Sequence, residues 1–179
     1  MKQMGRKLMG LAMSLVLLAV LLPGTAKAES VPPTGPAGLD LTQAEDVTYS
    51  YGENGTANWV KSTHTLTLSG DGKIEAEGDN KGITLPAGSQ LVVAENAHWT
   101  VKGADGASAG YDGIRVNGDL TLEVKGNASL DTAGGTCSNT YTGGHGLYAG
   151  GELTAEVEET GSLTATGGDS QKSVSYTHL

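Results

Sequence analysis

A chain of 179 residues with 28 glycines, no phenylalanine and one cysteine can build a single domain with a real core, but it cannot close an internal disulfide. Its formal charge of −9 excludes the broad basic footprint that nucleic acid or anionic lipid requires. After residue 30 no amphipathic pattern with capping signals appears, which excludes a helical bundle.

Residues 1–28 read as a secretory signal. Lys2, Arg6 and Lys7 precede the apolar run Leu8 to Leu22, Pro23-Gly24 breaks it, and Ala26-Lys27-Ala28 is a small-x-small cleavage site. The run falls short of the roughly 20 apolar residues that span a bilayer. Cleavage after Ala28 is therefore expected, with a secreted or cell-surface product and no membrane span in what remains. Cleavage would leave seven basic residues against 20 acidic ones, a net charge of about −13. The interval 29–45 holds Pro32, Pro33 and Pro36 and reads as a linker.

From 46 to 172 the chain repeats itself. A shift of 33 pairs Gly113-Ile114 with Gly146-Leu147, Leu120 with Leu153, Val124 with Val157 and Leu130 with Leu163. A shift of 31 pairs Ile83 with Ile114, Leu91 with Leu122, Val93 with Val124 and Trp99 with Leu130. A shift of 56 pairs Leu66 with Leu122, Leu68 with Val124 and Ile74 with Leu130. Each repeat contains three short runs of period two, which place Ile114, Val116, Leu122, Val124 and Leu130 on one face. Repeats of this kind bury that face by stacking. The fold expected is all-β, a right-handed parallel β-helix with three strands per rung. An antiparallel β-sandwich is the alternative, since Asn117-Gly118 and Asp112-Gly113 are hairpin-type turns. Asp46 to Trp59 is expected to cap the first rung. No matching cap follows Gly168, so the domain reads as truncated, with an open edge through which copies could oligomerise. Residues 173–179 depart in composition and are expected to be a non-native tail.

No catalytic motif stands out, which weighs against an enzyme. Stacking creates outward columns instead. Thr84, Arg115 and Tyr148 share one, and Asp112 and His145 precede the first strand at matching positions. Loops of unequal length between third and first strands gather at the same corner. Asp112, Arg115, His145 and Tyr148 are thus the candidate ligand-binding residues, able to stack on and hydrogen-bond a sugar ring. Glu123 over Glu156 and Asp119 over Glu152 raise calcium as a candidate ligand, although two carboxylates are few for its roughly six to eight oxygens. No other cofactor is called for. Cys137 reads as an incidental loop thiol.

Gly-Ile-x-Val at 113–116, Gly-Asp-Leu-Thr-Leu at 118–122 and Gly-Ser-Leu-Thr-Ala-x-Gly-Gly at 161–168 resemble the glycine-rich repeats of Gram-positive gut bacterial surface proteins. They also look like carbohydrate-binding β-helix modules allied to the pectate-lyase fold. The resemblance covers residues 66–168 and implies polysaccharide binding or adhesion, with an extracellular glycan or host protein as partner. A structural stalk without ligand is the second reading and a polysaccharide lyase the third. Lyases of that fold use clustered calcium aspartates around a catalytic Arg or Lys. Arg115 is the only arginine after residue 28, and no such aspartates surround it in sequence.

Overall fold

Alternating residues build strands here, and glycine-rich segments turn the corners. The computed structural model describes residues 33–139 and 142–169. The expected signal and the 173–179 tail lie outside that set. The described chain enters through β1 (Leu39–Asp40), then β2 (Val47–Tyr51), β3 (Gly55–Val60), a 3-10 turn at Lys61–Thr63, β4 (Thr65–Ser69) and β5 (Asp71–Glu75). Three strands then recur three times. They are β6 (Ile83–Leu85), β7 (Ser89–Val93) and β8 (His98–Lys102); β9 (Ile114–Val116), β10 (Leu120–Val124) and β11 (Ser129–Ala133); and β12 (Leu147–Ala149), β13 (Leu153–Val157) and β14 (Ser162–Thr166). No α-helix occurs among the described residues.

The strands stack into three sheets, ordered β1-β6-β9-β12, β13-β10-β7-β4-β3-β2 and β14-β11-β8-β5. Every pair from rung to rung is parallel. Only β2, β3 and β4 pair antiparallel. The fold is therefore an all-β parallel β-solenoid with three strands per rung, and the sandwich is excluded. The expected registers hold in the strands that line the core. Ile83 pairs with Ile114 and Ile114 with Leu147, while Leu66, Leu91 and Leu122 form one column. Of these, Leu66, Ile83, Leu91, Ile114 and Leu122 are fully buried.

One register differs from expectation. Ile74 pairs with Val101, in the column of Thr132, and Gly72 rather than Ile74 stands in the column of Trp99 and Leu130. The cause is steric. A β-carbon at Gly72 would overlap the Trp99 indole, so β5 offers a glycine where the ring needs room. Tyr51 closes the same space, edge-on to Trp99 with ring centroids 5.5 Å apart. Thr132, buried where Val101 and Ile74 are apolar, satisfies its hydroxyl by donating to the Thr164 carbonyl at 3.2 Å.

The first rung is covered as expected, by the β2–β3 hairpin. Trp59 is buried there, its indole N–H on the Ala44 carbonyl at 3.4 Å. The interval expected as a linker does more than connect. Leu39 and Leu41 are core residues, and β1 pairs with β6. Two-residue β1 is too short to show alternation, which is why composition alone reads it as a tether.

Candidate functional site

The corner between third and first strands is built from three stacked loops, 76–82, 103–113 and 134–146. Glycine permits the stacking. The Gly135 N–H donates to the Tyr111 carbonyl at 2.7 Å and the Gly144 N–H to the Gly135 carbonyl at 2.9 Å. A β-carbon at Gly135 would overlap the Ala104 carbonyl. Gly106 and Cys137 form a bridge between two of these loops, so Cys137 is buried packing and not a loose loop thiol.

This corner brings the four candidate residues together. Asp112, only 5% exposed, sits at the joint of two rungs. Its Oδ1 accepts the His145 backbone N–H at 2.8 Å and lies 2.9 Å from His145 Nδ1. Its Oδ2 accepts Arg115 Nη1 at 2.7 Å. Arg115 Nε donates to Asn117 at 3.0 Å, and the guanidinium lies 4.4 Å from the Tyr148 ring centroid, a cation–π distance. Tyr148 also meets the His145 ring at 5.3 Å. The in-register pairing of Arg115 with Tyr148 places this cluster, since paired residues on parallel strands share a face.

Burial alone would push the Asp112 carboxyl up. The His145 N–H, the Arg115 guanidinium and the His145 ring together hold it below the ordinary carboxylate range. Asp112 is thus an ionised anchor with its lone pairs engaged, which suits positioning better than acid–base chemistry.

An open cleft of about 400 Å³ lies against this cluster, lined by Lys81, Tyr111, Asp112, Arg115, Thr142 and His145 together with Gly110 and Gly143. Tyr148 supports Arg115 and His145 from beside the cleft and does not line it. Lys81 and Tyr111 join a set that sequence reasoning drew without them. The signal was present, because the shift of 31 that pairs Ile83 with Ile114 sets Lys81 opposite Asp112, and Tyr111 directly precedes Asp112. The Tyr111 hydroxyl donates to Asp79 at 2.8 Å, and that bond raises its pKa. Lys61, Lys73, Lys102 and Lys125 each hold a carboxylate. Lys81 has no ion-pair partner among the described residues.

The acidic columns resolve differently. Glu123 pairs in register with Glu156, but its carboxylate binds Lys125 Nζ at 2.7 Å and the Gln90 amide at 2.6 Å, and its pKa is lowered, with Lys125 the larger cause. Asp119 accepts the Glu152 backbone N–H at 2.8 Å. Among the described residues no three His, Cys, Asp or Glu side chains are grouped to hold a metal ion, and no helix is long and apolar enough to cross a membrane. Comparisons with protein-family models, curated proteins and solved structures give no match.

Proposed function

We propose that this chain is a secreted or cell-surface binding module of the glycine-rich repeat type, and that its corner cleft holds an extracellular glycan. The carrying observation is the convergence of Lys81, Tyr111, Arg115 and His145 on one open cleft, organised by the buried Asp112. Several fixed polar groups around a concave wall are what oriented binding of a hydroxylated ligand needs. The volume sits near the lower end of the roughly 300–1,000 Å³ usual for ligand clefts and suits one or two sugar rings. Among the described residues Asp112 is the one carboxylate lining the cleft, and three donors already hold it, which favours binding over the paired-carboxylate chemistry of a glycosidase. A second surface for protein contact is the outer edge of β12, β13 and β14, which is unpaired among the described residues.

The test is affinity electrophoresis of the purified chain through gels containing neutral and acidic polysaccharides. Retardation by at least one polymer is expected, weakened roughly tenfold by Lys81→Ala, the loss of about one charged hydrogen bond. Lys73→Ala, whose parent lysine pairs with Glu75 away from the cleft, should match the parent chain. Equal retardation of all three proteins would sink the cleft as the binding site.

A further inference from the structure

The orientation of His145 carries the reading one step further. Asp112 Oδ1 lies 2.9 Å from His145 Nδ1, and an ionised carboxylate can only accept a hydrogen bond. The proton of a neutral ring must then sit on Nδ1. Its other nitrogen, Nε2, carries a lone pair. The His145 side chain is 63% exposed and forms part of the cleft wall. The charged and titratable groups around it are Asp112 from the preceding corner loop, Arg115 on β9 and Tyr148 on β12. Lys81 and Tyr111 share the cleft, the latter tied to Asp79. Lys81 and Arg115 can only donate. Neutral His145 is thus an acceptor set among cationic donors.

We propose that Asp112 fixes His145 as a hydrogen-bond acceptor towards the cleft, so that the cleft selects a neutral sugar with vicinal hydroxyls. This rests on the glycan reading above. One hydroxyl of a vicinal pair donates to Nε2 while its neighbour accepts from Lys81 or Arg115. A carboxylated sugar presents the same acceptors to the cations, but its carboxylate oxygens meet the Nε2 lone pair with no proton between them. Asp112 is a positioning residue in this scheme, and His145 is the group that meets the ligand.

Two-bond proton–nitrogen NMR of the imidazole in the purified chain tests the tautomer without any ligand. A proton on Nδ1 is expected, and a proton on Nε2 of the neutral ring would overturn the proposal. Titrations with laminarin and galactomannan as neutral probes, and polygalacturonate as the acidic one, test the consequence. At least one neutral probe should bind about tenfold more tightly than polygalacturonate. His145→Leu, which removes the acceptor, should lose that preference. Polygalacturonate favoured over both neutral probes, or a preference left unchanged in His145→Leu, would also overturn it. No binding of any polymer would instead remove the glycan reading itself, and the ring spectrum would still decide the tautomer.

Discussion

β10 and β13 carry the same alternation in the same register, Leu120 over Leu153 and Val124 over Val157. In β10 both apolar residues are buried, whereas Leu153 is 45% and Val157 40% exposed. The two strands differ in sequence only at Leu122 against Ala155, and the residues compared are identical in type and in register. What differs is the number of neighbouring rungs, since β10 lies between β7 and β13 and β13 has β10 alone among the described residues. In a solenoid the core is therefore a property of the stack. A side chain is made interior by the copy above it as much as by its own polarity.

Substitutions along one column test this directly. Leu130, fully buried between Trp99 and Leu163, is the most demanding position. Leu130→Asp should abolish the cooperative unfolding transition in urea, because an unpaired buried charge costs more than about 4 kcal/mol in such a site. Leu163→Asp, in the same column but only partly buried, should leave a measurable transition. Thr121→Asp, exposed one step out of register, should shift stability by less than about 0.5 kcal/mol. If Leu130→Asp and Thr121→Asp behave alike, the inward register is wrong.

The next effect tests the one column built by complementary shapes. Gly72→Val should destabilise by roughly 1–3 kcal/mol through overpacking on Trp99, and Trp99→Leu should recover much of that loss. A double-mutant cycle with no coupling would show that Gly72 is there for another reason. Equivalent positions in adjacent rungs should differ as well. Leu120→Ala should cost about 2–5 kcal/mol, while Leu153→Ala, its register partner, should cost less than about 1 kcal/mol. Equal losses in denaturant melts would mean that the outer rung is covered in solution.

The parts of the fold that were legible in the sequence are those that repeat. The columns of Ile83, Leu91 and Trp99 could be read because each has a like partner 31 residues on, and copies in stacked rungs meet the same environment. The Gly72 offset was hidden, because complementarity between a missing side chain and a large ring leaves no likeness to match. β1 was hidden by its length. At the corner, Asp112, Arg115, His145 and Tyr148 could be brought together because each has a register partner in an adjacent rung. Lys81 precedes Gly82 as Asp112 precedes Gly113, so the same shift of 31 reaches it, whereas Tyr111 enters the cleft through loop conformation that no periodicity encodes. The pairing of Glu123 with Lys125 was half legible, since the sequence shows the lysine two residues along the chain but not the Gln90 amide that completes the carboxylate's shell.

The unequal corner loops have one further consequence, for how such a chain can change. The turns at 86–88, 117–119 and 150–152 are all of one length, and so are those at 94–97, 125–128 and 158–161. The whole difference between the 31- and 33-residue periods is absorbed in the loops at 103–113 and 134–146. Length added there leaves every inward column in phase. One residue added to a strand would turn each following side chain to the opposite face. The molecule thus separates a frame that counts residues from a corner that does not, and the candidate cleft stands at that corner. Insertion of a short foreign peptide between Ala107 and Ser108, both exposed in a corner loop, is the graft this architecture can accept without re-registering a single rung.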